Sequence, residues 1–161
     1  MTIVTRTYDA AGAAQIIDAF GARPELLVQI LHAFVERYTY INEEAVRQIA
    51  ATLNLSRADV HGVVSFYHDF RTAPPGKRIV KICQAEACQS MGCRELTEHA
   101  ERKLGVALNS TTADGEVTLE PVYCLGNCAC SPAVMIDDRV YGRVDAARFD
   151  ELLSKTAERP R

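Results

Sequence analysis

Apolar residues in the first half of the chain recur at a helical period; in the second half the pattern shifts to that of strands. Ile16, Ile17 and Phe20 give a short apolar face to a helix over 11–20. Pro24 suits a first helical turn. After it Leu27, Ile30, Leu31, Phe34 and Val35 stand near i, i+3, i+4, i+7 and i+8, the stripe of a core-facing helix. Tyr38-Thr39-Tyr40-Ile41 breaks that stripe. Asn42 reads as an N-cap, followed by Glu43 and Glu44 at the positive end of the helix dipole and by Val46, Ile49 and Leu53 as an apolar face. Ser56-Arg57-Ala58-Asp59 reads as a capping box with Asp in place of Glu, and Val60, Val63, Val64 and Tyr67 continue at a helical period. The expectation is a small bundle of three or four helices over residues 1–75.

Two prolines and a glycine in Thr72-Ala73-Pro74-Pro75-Gly76-Lys77 stop a helix and favour an extended link. A boundary between domains 1–75 and 76–161 is expected here. Arg78 to Cys83 then reads as a strand, and Cys93 to Leu104 as a helix with Leu96, Ala100 and Leu104 in register and Gly105 as C-cap. Asp114-Gly115 signals a turn, and Val117 to Tyr123 a second strand that ends at Cys124. Ala133 to Ile136 and Val140 to Val144 read as a hairpin joined by Asp137-Asp138-Arg139. Asp145 caps a last helix carrying Phe149, Leu152 and Leu153, and residues 158–161 are expected to fray. The order β-α-β-β-β-α predicts a small sheet with helices packed on it. The chain as a whole reads as α+β.

Composition narrows the function classes. A chain of 161 residues can bury a core without disulfides. Net charge is −3, and residues 1–75 carry six Arg, no Lys and eight Asp plus Glu. Residues 42–70 could pass for a helix-turn-helix, but that half lacks the basic footprint of a nucleic-acid binder. No apolar run reaches membrane-spanning length, and Met1 to Arg6 has no signal-peptide core. A cytoplasmic protein with neither nucleic acid nor membrane as partner is expected. Thiols stay reduced in that compartment, so six cysteines point to metal or redox chemistry.

Four of the cysteines form two pairs, Cys83 with Cys88 and Cys124 with Cys128, separated by thirty-five residues. Each short loop can set two thiolates on one side of a metal centre. A [2Fe–2S] cluster takes two ligands on each iron, commonly four thiolates in all, and two loops of two meet that need. Backbone N–H groups of such loops can face the negative charge of the thiolate-bound cluster. Gly92 and Gly126 lack a Cβ, so close backbone approach is expected there, and Pro132 stiffens the exit from the second loop. Structural zinc with four cysteines is the rival, and the spacing within the pairs does not exclude it; the chain would then be a zinc-stabilised interaction module. A single cysteine is more often a buried small hydrophobe, which suits Cys93 and Cys130. His32, His61, His68 and His99 lie outside both cysteine loops, so a mixed His–Cys cluster site is not expected. With no nucleophile elbow, phosphate loop or dinucleotide fingerprint in the chain, a carrier that works between partner subunits is implied.

Cys83 and Cys88 four residues apart, followed by Cys124-Leu125-Gly126-Asn127-Cys128 and the nearby Pro132, resemble the thioredoxin-like [2Fe–2S] ferredoxins. These are the small cluster subunits of NADH:quinone oxidoreductase (complex I), of NAD-linked hydrogenases and of NAD-dependent formate dehydrogenases. The resemblance extends through Tyr40 to Ala45 and Val64 to Tyr67, spanning most of residues 24–145. Ser65 to Phe70 and Cys83 to Gly92 are most similar to the formate dehydrogenase branch, its gamma subunits. The resemblance implies a thioredoxin-like α/β domain after the helical bundle, one [2Fe–2S] cluster, and Cys83, Cys88, Cys124 and Cys128 as its ligands. It implies a multisubunit oxidoreductase in which a molybdenum- or tungsten-containing subunit oxidises formate and a flavin subunit reduces NAD. This chain's cluster would then lie beside the flavin and pass single electrons, with no complete active site in the chain itself. Cys128-Ala129-Cys130 departs from the family, which often has no third cysteine there.

Overall fold

Leu27, Ile30, Leu31 and Phe34 of the stripe read from the sequence are buried, and Val35 is half-buried, in the computed structural model of the chain, which describes residues 7–157. The readings made for residues 1–6 and 158–161 lie outside the described residues. The chain divides into two compact units between Pro74 and Pro75.

Four helices build the first unit: α1 (Ala10–Ala19), α2 (Leu27–Tyr38), α3 (Glu43–Leu53) and α4 (Arg57–Phe66). Pro24–Leu26 forms a 3₁₀ turn that leads into α2. Ile17, Phe34, Ile49, Leu53, Val60 and Val64 share one core. The N-caps act as expected. Asn42 accepts from the Ala45 N–H at 2.8 Å, and Ser56 and Asp59 form the full capping box. Two readings change. Tyr38 stays in α2 and is buried; the helix ends one residue later, where Thr39 turns to φ 70°. Tyr67 lies beyond α4 in an extended conformation, so the buried stripe of that helix is Val60 and Val64.

The second unit is a five-stranded sheet with helices. In chain order its elements are β1 (Arg78–Cys83), α5 (Glu86–Ser90), α6 (Cys93–Leu104), β2 (Ser110–Thr111), β3 (Val117–Val122), β4 (Val134–Ile136), β5 (Arg139–Tyr141) and α7 (Ala146–Ala157). The strand order is β2-β3-β1-β4-β5, with β1 and β3 parallel and the other pairs antiparallel. Val80 and Ile82 of β1, Leu119 of β3, Leu96 and Ala100 of α6 and Phe149 of α7 close its core. Pro121 is tolerated inside β3 because of where its missing N–H would point. The Val122 carbonyl accepts from Gln84 after β1, so the neighbouring residue 121 faces the other edge, beyond the last β2 pairing at Leu119.

The short elements α5 and β2 have no counterpart in the predicted order. The hairpin turn is Asp137-Asp138, both at positive φ (47° and 66°), which is the two-residue turn that matches strand twist. Arg139 therefore belongs to β5, and that strand ends at Tyr141 rather than at Val144. Asp145 caps α7 through the Arg148 N–H at 2.8 Å, as expected. Among the described residues no helix is long and apolar enough to cross a membrane.

Candidate metal centre

Parallel pairing of β1 with β3 brings the two cysteine loops to one end of the sheet. Cys83 pairs with Val122 in the ladder, so Cys83 and Cys124 leave adjacent strands side by side. Cys88 follows inside α5, ahead of α6, and Cys128 opens a 3₁₀ turn over Cys128–Cys130. The Sγ atoms of Cys124 and Cys128 are 3.7 Å apart. Cys83 and Cys88 share a hydrogen bond, and their charges also reach Cys128. The structure thus brings Cys83 to Cys88 and Cys124 to Cys128, with both pairs at the same end of the sheet. Among the described residues no three or more His, Cys, Asp or Glu side chains gather as a ligand set about one ion; the thiols stand as two pairs.

Backbone amides face these sulfurs. Ala85 and Cys124 donate to the Cys83 sulfur, Ala133 donates to that of Cys88, and the Gly126 N–H lies 3.4 Å from Cys124 Sγ. To present its amide in this way Cys124 takes φ 107°, a conformation that costs a side-chain-bearing residue energy and is found mostly at functional sites. Burial pushes the Cys83 thiol up, against the pull of the two amides, and the neighbouring Cys88 adds to the rise. Burial also acts on Cys88, but its hydrogen bonds with the Ser131 hydroxyl, the Ala133 amide and Cys83 outweigh it and hold that thiol below its usual range. Cys128 is raised by its hydrogen bond to Cys124, by the charge of that neighbour and by burial. Thiols paired this closely oppose one another's ionisation, and a metal cation held by Cys83, Cys88, Cys124 and Cys128 would relieve that opposition. The donor set of four thiols with backbone N–H partners fits an iron–sulfur cluster.

The pairs differ in exposure. Cys83 and Cys88 are each 2% exposed, whereas Cys124 and Cys128 lie at the surface, with the preceding Tyr123 65% exposed. Cys93 is fully buried against the first pair and Ala133. Cys130 is half-buried, and its backbone is held by Asn127 on one side and Arg143 on the other.

Two features of the site escaped sequence reasoning. Gly92 and Gly126 take φ 91° and 71°, and a Cβ on either would meet nothing closer than 3.5 Å, so their role is conformation and not close approach. Close approach belongs to Gly142, where a Cβ would lie 2.6 Å from the Cys130 Cβ. Ser131 is the second: buried, it sits 3.5 Å from Cys88 Sγ and donates to the Cys128 carbonyl at 2.8 Å. Its position three residues after Cys128 is the only sequence signal that could have singled it out.

Fold and site together define an α+β protein with one helical unit and one sheet unit, the latter carrying two cysteine pairs suited to a thiolate-bound metal centre. Residues 13–157 match the model of the thioredoxin-like [2Fe–2S] ferredoxins. The chain belongs to that family, and its cofactor is a [2Fe–2S] cluster, which decides between the two metals that spacing left open. It is 35% identical over 118 residues to a subunit of the NADH-quinone oxidoreductase of Buchnera aphidicola subsp. Baizongia pistaciae, covering 73% of this chain and 69% of that one. It is 29% identical over 141 residues to the HndA subunit of the NADP-reducing hydrogenase of Solidesulfovibrio fructosivorans, covering 88% and 82%. Among solved structures, an NAD+-reducing [NiFe]-hydrogenase chain superposes with a TM-score of 0.67 at 25% identity. That match covers 84% of this chain and spans 23% of the hydrogenase chain. The protein is an electron-transfer subunit of an oxidoreductase.

Proposed function

We propose that Cys83, Cys88, Cys124 and Cys128 hold the cluster and that the chain is the cluster subunit of a cytoplasmic NAD-dependent formate dehydrogenase. One-electron exchange is the chemistry that a [2Fe–2S] cluster supplies when bound. The chain's own residues fix the thiolates, donate to them from backbone amides and leave the Cys124–Cys128 edge open to a partner. That open edge is the observation that carries the role: a carrier with one buried and one exposed ligand pair exchanges electrons through its exposed side. The partners of this reading are a flavin- and NAD-binding subunit next to the exposed pair and a molybdenum- or tungsten-containing subunit that oxidises formate. Similarity of Ser65 to Phe70 and Cys83 to Gly92 to the formate dehydrogenase branch supports the choice of substrate.

The helical unit serves as a docking element in this reading. Phe66 at its surface is 73% exposed and stacks edge-on against Tyr67, an apolar pair that a partner subunit would cover.

A second reading places the chain in complex I or an NAD-linked hydrogenase, favoured by the names of the relatives it matches. Affinity purification of the tagged chain from its own cells separates the two. Formate-dependent NAD reduction by a complex containing molybdenum or tungsten supports the first reading. A complex that reduces NAD with hydrogen, or oxidises NADH with quinone, and lacks either metal would overturn it.

A further inference from the structure

Ser131 places one hydroxyl between the two ligand pairs. Its Oγ lies 3.5 Å from Cys88 Sγ and 2.8 Å from the carbonyl oxygen of Cys128, and the side chain is buried. With both groups protonated the arrangement is a short relay: the Cys88 thiol donates to Ser131, and Ser131 donates to the Cys128 carbonyl. A cysteine that binds metal has no such proton to give. The single hydroxyl hydrogen then has two acceptors, a neutral carbonyl and a charged sulfur.

Hydrogen bonds to charged acceptors are roughly twice as strong as neutral ones, and burial keeps water from competing. Each increment of negative charge on the sulfur draws the hydroxyl further from the carbonyl and towards Cys88. We propose that Ser131 is a positioning and tuning residue for the cluster: its hydroxyl donates to the Cys88 sulfur more strongly in the reduced than in the oxidised protein, and so raises the reduction potential. The inference rests on Cys88 being a ligand.

The sign follows from charge. A donor that binds the more negative state better favours that state, so its removal makes reduction harder. Ser131→Ala is expected to shift the reduction equilibrium by about threefold to tenfold towards the oxidised form, up to ~59 mV for a one-electron couple. Threonine keeps the hydroxyl and valine removes it at equal shape, so Ser131→Thr and Ser131→Val repeat the comparison with bulk held constant.

The experiment is a redox titration of the purified cluster-loaded chain and its variants, followed by visible absorption. Lower potentials for alanine and valine, with threonine near wild type, are the expected result. Equal potentials in all four proteins overturn the proposal. So does failure of both hydroxyl-free variants to take up iron, because a tuning bond is not required for assembly. Cys88→Ser is measured alongside: unchanged iron content and absorption there would remove Cys88 from the ligand set, a different failure from unchanged potentials in the Ser131 series.

Discussion

Replacement of Gly142 by alanine tests how the second cysteine loop is held. The residue follows β5 and passes directly over the 3₁₀ turn that carries Cys128 and Cys130. A Cβ there would stand 2.6 Å from Asn127 Nδ2, 2.6 Å from Cys130 Cβ and 2.8 Å from the Cys130 carbonyl oxygen. The amide of Asn127 can swing away; the backbone of Cys130 cannot, because the Asn127 carbonyl and the Arg143 amide grip it at 3.0 and 2.6 Å. Forcing one extra carbon into such a contact costs about 1–3 kcal/mol. Taken at about 2 kcal/mol, with ~2–4 °C per kcal/mol for a chain of this length, Gly142→Ala is expected to lower the melting temperature by about 4–8 °C. Thermal loss of the cluster's visible absorption is the assay, since it reports on the loop directly.

Gly126→Ala is the contrast. Nothing lies within 4 Å of its Cβ position, but φ is 71°, so only the left-handed conformation is penalised, by roughly 1–2 kcal/mol. Asn127→Ala in the Gly142→Ala background removes one of the three clashes and leaves both contacts with Cys130, so it should not restore stability. A Gly142→Ala protein that melts within about 1 °C of wild type would refute the packing argument.

Ser56→Ala, which removes the cap of α4 and its bond to Asp59, should cost about 1 kcal/mol in denaturant unfolding followed by far-ultraviolet circular dichroism. The hydrogen bond from His99, with Lys103 behind it, holds the Asp150 carboxyl below the usual range. A depressed carboxylate contributes stability above its unfolded pKa of about 3.9 and loses it as pH falls through the lower folded value. The stability advantage of wild type over Asp150→Asn should therefore be full at neutral pH and shrink only below about pH 4; an advantage that persists unchanged at pH 2 would contradict it. Phe66→Ser should leave iron content and melting unchanged while weakening co-purification of partner subunits, read by mass spectrometry of the isolated complex.

Features set by neighbouring residues were legible in the sequence. Asn42, Ser56, Gly105 and Asp145 act within one turn of where they stand, and each caps as its type and position suggested. The closeness within each cysteine pair was legible for the same reason, since two cysteines in one short loop are local neighbours. Elements too short to show a period were not: α5 has five residues and β2 has two. The end of β5 depends on a turn in which both aspartates take positive φ, and no hydrophobic alternation records that. The contacts of Gly142 and Ser131 arise only when β5 and the Cys128 turn meet across the fold, so sequence distance hid them. The close approach expected at Gly126 is not found: nothing lies within 4 Å of its Cβ position, and what needs glycine there is the backbone angle.

Iron and acid-labile sulfide per chain, measured with the reduced-state paramagnetic signal across single Cys→Ser variants, tests the ligand assignment most directly. The wild-type chain should hold two irons and two sulfides. Serine at 83, 88, 124 or 128 should lose the cluster or alter its signal, and serine at 93 or 130 should leave both unchanged. A full, unaltered cluster in Cys124→Ser, or its loss from Cys130→Ser alone within the second loop, would contradict the assignment.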